Sequence, residues 1–149
     1  MGAVNILNPA PAGLIHHDVL AATDWVVPNE NEFELLFGAP PDDAAIVRAA
    51  LQSKGRLLVT LGEGGAAFPF GDAVHHTAAP TVTPSDTTGA GDAFLGGFSY
   101  ALAAGAAAED AVKIATICGS LSTERRGTQA SFPSAEEVWL RNGSPLSLP

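Results

Sequence analysis

The chain has 149 residues, a formal net charge of −9, and apolar side chains at 46% of positions against 15% charged. Such a composition makes a globular domain of ordinary size and excludes disorder, which needs low apolar content and high charge. Seven Lys and Arg against sixteen Asp and Glu leave little to neutralise nucleic-acid phosphates or an anionic membrane surface. A small polyanion such as ATP stays possible, because helix N-termini and backbone amides bind phosphate without net positive charge.

The opening "MGAVNILNPAPAG" has no basic leader and no long apolar run, so no secretory signal is read there. Residues 4–7 are a short apolar run closed by "NPAPAG", a strand entering a Pro-rich turn. "DWVV" at 24–27 is a second buried strand, stopped by Pro28. "NENEFELLFG" predicts a short helix with Gly38 at its C-terminal end. "PPDDAAIVRAALQSKG" predicts a helix with proline at its start, acids in the first turn, and basic residues and Gly55 at its end. "RLLVTLG" is a continuous apolar run suited to a parallel strand covered on both faces. "GGAAFPF" and "DAVHHTAA" pattern as two strands of a hairpin around Gly71-Asp72.

"AGDAFLGGFSYALAAG" and "AEDAVKIATICGSLSTERRG" predict two further helices. "SAEEVWLRNG" predicts a last one, with Ser134 capping and Glu137 at the third helical position. The stretch "FSYALAAGAAA" is too short and too Gly-broken to span a bilayer. The single cysteine, Cys118, allows no internal disulfide and fits a reducing cytosol. A soluble, cytoplasmic protein is expected.

Strands alternating with helices and closing in a helical run mean an α/β fold with a mostly parallel sheet. The chain shows no internal repeat and no low-complexity tail beyond "GSPLSLP". It opens directly into a strand and turn, whereas parallel sheets usually hold five or more strands. An N-terminal part of a larger domain is therefore expected outside this sequence.

The segment "DTTGAGDAFLGGF", residues 86–98, places two carboxylates and a run of bare backbone where a helix begins. Glycines let a backbone approach a ligand closely, and a helix start offers unpaired N–H groups and a positive dipole end to a phosphate. Asp92, in the first turn, would repel that phosphate unless it served as a general base for an acceptor hydroxyl. On the residues alone, the plainer reading is that Asp92 complements the dipole and the glycines permit packing.

The longer pattern resembles the second signature of the phosphofructokinase B family of carbohydrate kinases, the ribokinase-like fold. "NPAPA" (8–12), "PNENE" (28–32), "TLGEGG" (60–65) and "RRGTQASFP" (125–133) resemble other family segments, in the family's order. The "GTQASFP" part is nearer to the ribokinase pattern than to those of fructokinases or adenosine kinases. The resemblance covers nearly the whole chain. It implies the C-terminal, nucleotide-binding part of a three-layer α/β/α sandwich. The first Gly-Gly signature, the sugar-binding half and its small lid are not seen in these 149 residues.

The resemblance implies roles residue by residue. Asp92 would be the base for a sugar's primary hydroxyl. Gly89, Ala90 and Gly91 would form an anion hole for the moving phosphoryl group, there being no Walker-type G-K-[ST]. Asn29 and Glu32 would organise Mg²⁺ and its waters, although the same pair can cap a helix as a capping box. Thr60, Gly62, Glu63, Gly64 and Gly65 would contact ATP at the carboxyl end of a strand, or form a plain strand-to-hairpin turn. Thr116 matches a position beside adenine.

Asp86, Thr88, Ser122, Arg125, Gly127 and Ser131 match a monovalent-cation site, typically for K⁺; alternatively Asp86 caps the helix after Thr87. His16-His17 and His75-His76 lack metal-ligand spacing and are read as solvated, the latter two on opposite faces of a strand. Cys118 is read as core, and Trp25 and Trp139 as packing residues. The expected function is an ATP-dependent sugar kinase acting on ribose or a similar sugar, fructose or a nucleoside being alternative acceptors. Its partners are ATP and the sugar, with no nucleic acid and no membrane, and a homodimer of the intact enzyme is left open. The alternative from another class is a nucleotide-binding fragment without turnover.

Overall fold

The computed structural model describes residues 3–13, 15–53, 56–71 and 73–143. Gly55, Asp72 and positions 144–149 of the tail, each invoked above, lie outside them, as do Met1 and Gly2. The chain divides into two units, Met1–His76 and Thr77–Pro149.

In the first unit, β-branched and apolar runs form β1 (Ile6–Leu7), β2 (Trp25–Val26) and β3 (Val59–Thr60), β1 and β2 making a two-stranded sheet and β3 the first strand of a three-stranded one. β1 and β2 pair in parallel with Ile6 opposite Trp25. Parallel bridges Val26–Leu57 and Asn29–Thr60 bring β3 alongside β2. The ladder is carried by Val27 N–H to Leu7 O at 2.8 Å, Leu58 N–H to Val26 O at 3.0 Å and Thr60 N–H to Pro28 O at 3.0 Å. β4 (Ala66–Phe70) then runs antiparallel to β3, and β5 (Ala73–Thr77) lies beyond it.

Helix α2 (Glu30–Phe37) ends at Gly38 as its pattern requires. Helix α3 (Asp43–Gln52) starts later than expected. Asp42 is its cap, the carboxylate accepting from Ala45 N–H at 2.7 Å, so both prolines precede the helix. It also ends without a basic residue in its last turn. A six-residue helix, α1 (His17–Ala22), was not legible: it is under two turns long, and His16 caps it in place of a Ser, Thr, Asp or Asn. Phe33, Ile46, Leu57 and Val59 are fully buried in the core of this unit, each contributing about 1.5–3 kcal/mol of burial free energy.

The second unit is helical, with α4 (Ala90–Ala103), α5 (Ala108–Ser122) and α6 (Ala135–Asn142). α4 and α5 are antiparallel and very close. A Cβ added to Gly97 would sit 2.7 Å from Cys118 Sγ and 3.2 Å from Ala115 Cα; one added to Gly119 would sit 3.3 Å from Ala90 O. Phe94 and Phe98 of α4 and Val112 and Ala115 of α5 are buried, with Phe94 against Gly119 and Ala115 against Gly97. α5 stops at Ser122, short of the predicted "STERRG" extension. There the Ser122 and Thr123 hydroxyls donate to Gly119 O and Ser120 O at 2.8 and 2.7 Å. α6 opens with the expected capping box between Ser134 and Glu137. Among the described residues, no helix is long and apolar enough to cross a membrane.

Candidate active site

The "TTGAGD" turn feeds α4 through Gly89, the N-cap, at φ +81°. This left-handed conformation favours glycine. A Cβ there would also approach Thr128 Cα to 3.3 Å and Phe132 Cε1 to 3.5 Å. No side chain caps the helix; of the first-turn N–H groups, which have no intrahelical acceptor, that of Ala90 donates to Thr87 O at 3.2 Å. Gly91 differs from Gly89. Its φ is ordinary, and an added Cβ would meet nothing within 4 Å. Neither packing nor backbone strain asks for glycine at 91. Asp92 follows in the first turn, exposed.

Asp86 is not the cap of α4. One carboxylate oxygen accepts from Thr88 N–H at 3.0 Å, and the other from Gly127 N–H at 3.2 Å, which ties the loop before α4 to the 125–131 loop. The hydroxyl and N–H of Thr88, then the Gly127 N–H and the charge of Arg126, hold the Asp86 carboxyl below its ordinary range. Within the same loop, the Ser131 hydroxyl donates to Thr128 O at 2.7 Å. The Arg125 guanidinium pairs with Glu137 of the α6 capping box. Bonding to Ser134, foremost its backbone N–H, keeps the Glu137 carboxyl low.

A monovalent cation fits this donor set in part. The Ser122 and Ser131 hydroxyl protons are committed to carbonyls, which leaves their oxygen lone pairs, and the Arg125 side chain is turned to α6. Among the described residues, no group of three His, Cys, Asp or Glu could hold a metal ion.

In the first unit the fold brings two predicted groups together. Asn29, the cap of α2, bridges to Thr60 where parallel β2 and β3 end. Asn29 Oδ1 accepts from Glu32 N–H, and Glu32 Oε2 accepts from Asn29 N–H, both at 2.9 Å. The capping box is therefore real. A Mg²⁺ ion fits these residues through its waters, since a carboxylate has lone pairs beyond the one used. After Thr60 the chain makes a short 3₁₀ turn over Gly62–Gly64. Gly62 and Gly65 hold φ +52° and +95°, and the Gly64 and Gly65 N–H groups bond inside the turn at 2.8 and 3.0 Å. Glu63 is exposed. The turn reading is thus realised, and it stands at a strand's carboxyl end where ligands of open sheets gather.

Thr116 is buried in α5 and its hydroxyl donates to Val112 O at 2.8 Å. His75 is half-buried with its ring 5.0 Å from that of Phe70, while exposed His76 meets Asp43 at 2.8 Å, so the two do point apart. Two readings are corrected. Cys118 is only half-buried, its thiol pushed up to about 11 by burial. Trp139 is 36% exposed. Both line a cleft of about 250 Å³ with Asp92, Gly96, Tyr100 and Phe132. The sequence signal for it was the four-residue spacing of Asp92, Gly96 and Tyr100, one face of a helix.

The pfkB family carbohydrate kinase profile matches residues 1–135, and the chain belongs to that family. It is similar to a deoxyribokinase of Salmonella typhi, 42% identical over 139 residues, covering 89% of this chain and 45% of that protein. The ribokinase structure from Thermotoga maritima superposes with a TM-score of 0.87 at 30% identity, over 97% of this chain and 50% of its own. An Arabidopsis thaliana ribokinase complexed with ribose and ATP gives a TM-score of 0.78 at 30% identity, over 89% of this chain and 45% of its own. The fold is therefore ribokinase-like α/β. The chain spans about half the length of the curated relatives it matches.

Proposed function

We propose that this chain is the C-terminal, nucleotide-binding and catalytic part of an ATP-dependent sugar kinase of the cytoplasm, acting on the primary hydroxyl of ribose, deoxyribose or a similar pentose. The observation that carries the reading is the start of α4. Gly91 has no packing or backbone reason to be glycine, the helix lacks a side-chain cap, and an exposed carboxylate, Asp92, stands one residue on. Bare N–H groups that accept developing phosphoryl charge, beside a base that accepts a hydroxyl proton, are what phosphoryl transfer to an alcohol requires.

The roles divide by unit. In the second, Asp92 takes the proton from the acceptor hydroxyl as its oxygen attacks the γ-phosphorus, and the backbone of Gly89, Ala90 and Gly91 stabilises the transferring group, the Ala90 N–H turning to it from Thr87 O, 3.2 Å away. Asp86 and Thr88 fix that turn against the loop carrying Arg125, Gly127 and Ser131. With Ser122, these residues would hold a K⁺ ion that shapes the turn without touching substrate. In the first unit, Thr60 and residues 62–65 bind the nucleotide, and Asn29 and Glu32 hold the waters of Mg²⁺, whose charge offsets that of the phosphates. Thr116, of the second unit, would stand beside the adenine, as the resemblance implies. Relatives named deoxyribokinase and ribokinase at similar coverage support a pentose as acceptor.

The isolated chain is expected to bind Mg-ATP weakly and to phosphorylate no sugar. The positioning it lacks is worth about 7–11 kcal/mol. Titration calorimetry at millimolar nucleotide, alongside a coupled ribose-kinase assay, tests both statements. No heat with Mg-ATP, or turnover by these 149 residues alone, would sink the reading. Its partial coverage of the relatives favours one rival, a nucleotide-binding fragment whose product never phosphorylates sugar even when the rest of the fold is supplied.

A further inference from the structure

We infer that Glu137, in the first turn of α6, is a positioning residue for the turn that carries Gly89 and Asp92, and that it acts through the Arg125 side chain and the 125–131 loop. The inference rests on the proposed function for what that turn does. The turn leans on the loop at two places. Gly127 N–H donates to Asp86 at 3.2 Å, and Thr128 Cα stands 3.3 Å from where a Cβ on Gly89 would lie. On its other side, the Ser85 and Asp86 N–H groups donate to Thr123 O at 2.7 and 3.1 Å, which fixes the segment leading into the turn against the end of α5.

The loop itself has little packing to hold it. From Glu124 to Ala130 no side chain is buried, and Gly127 sits at φ +103°. The buried Ser131 hydroxyl bonds back to Thr128 O, within the loop. Apolar burial therefore does not fix where the loop stands against the turn, and polar ties are left to do so. Among the described residues, the side-chain hydrogen bonds that join it to other segments are Gly127 to Asp86 and Arg125 to Glu137. Glu137 is a prepared acceptor. Its Oε2 takes the Ser134 N–H at 2.8 Å in the capping box, so the Oε1 that Arg125 meets is already oriented. A capping box needs one such oxygen, and glutamine would serve it equally; the second oxygen and the charge serve Arg125. The two side chains are 42% and 40% exposed, so the pair contributes little to global stability. Its effect is on where the loop, and with it the turn, is held.

The test pairs amide exchange with kinetics. Glu137→Gln keeps an oxygen for the Ser134 N–H but turns an amide NH₂ toward Arg125; Arg125→Met removes the donor and leaves α6 untouched. In the 149-residue chain, each should speed exchange of the Gly127 N–H about tenfold, while amides in the middle of α5 keep their rates. In a complete kinase carrying this chain, each should lower kcat about tenfold with KM for nucleotide unaltered, since a misplacement of about 1 Å can cost about 10²-fold and Asp86 still holds the loop. Arg125→Lys, which keeps the ion pair, should recover most of what Arg125→Met loses. Ser134→Ala, whose backbone N–H still meets Glu137, should change neither quantity. Unaltered Gly127 exchange in both variants, faster exchange with full kcat, or an equal kcat loss in Ser134→Ala would overturn the inference. A complete wild-type kinase without turnover would count against the proposed function alone, the exchange rates then deciding whether Glu137 holds the loop.

Discussion

Helices α2 and α4 solve the same problem in opposite ways. At α2, Asn29 and Glu32 exchange two hydrogen bonds of 2.9 Å and close the N-terminus on itself; α6 repeats the device with Ser134 and Glu137. At α4 the cap is Gly89 and no side chain bonds the first turn. A capping side chain is worth about 0.5–2 kcal/mol, so α4 forgoes stability that the starts of α2 and α6 collect. α5 also starts without a side-chain cap, at Ala107; under the proposed function it is the glycine turn and Asp92 that give the α4 start its chemical role. Under the proposed function the contrast separates a start built for folding from one built for chemistry, and that difference decides what mutations at each should do.

The largest expected effect is at Asp92. In the complete kinase, Asp92→Asn should lower kcat about 10²–10⁴-fold, the usual contribution of a general base, with nucleotide affinity nearly unchanged by calorimetry. Unimpaired turnover would erase the chemical reading of α4. Next come the two glycines. Gly89→Ala should destabilise the chain by about 1–3 kcal/mol in urea unfolding, from its left-handed φ and the contact with Thr128. Gly91→Val should stay within about 1 kcal/mol of wild type and yet impair phosphoryl transfer. Matching stability losses at both positions would make the glycines structural.

At the capped starts the prediction reverses. Asn29→Ala and Ser134→Ala should each cost about 0.5–2 kcal/mol of stability. Ser134→Ala should leave nucleotide binding unaltered, because its bonds serve only α6 and, through Glu137, Arg125. The smallest effect is with pH. Thr88 and Gly127 hold the Asp86 carboxyl below 3.8 in the folded chain, while the unfolded chain titrates near that value. The group therefore stabilises the fold above pH 3.8 and loses that contribution as pH falls toward the lower, folded value. Asp86→Asn should flatten that part of the acid-unfolding curve; an unchanged curve would show that the tie between the 86–88 and 125–131 loops carries no stability.

How far the sequence could be read depended on range. The helix from Glu30 to Phe37, its glycine stop and the Ser134 box were legible because caps and periodicity act within a few residues. The start of α3 was misplaced because two adjacent signals, Pro40-Pro41 and Asp42, compete for one boundary and the side-chain cap won. α1 escaped because six residues hold too few turns to show a period. The "GAGD" turn could be located, but its two glycines read alike in one dimension. Only the approach of Thr128 and Phe132 separates Gly89 from Gly91.

The sequence alone determined the α/β class and the family signature, since each is written in local pattern, strand runs and helix periods, and it put forward candidate chemical residues in a carboxylate beside bare backbone. Tertiary structure decided the rest. It paired Asn29 with Thr60 across parallel strands, tied Asp86 to Gly127 over 41 positions, and opened a cleft between residues as far apart as Gly96 and Trp139. Contacts of that separation depend on how elements close on one another, and the pattern within a single element carries no information about its distant neighbours.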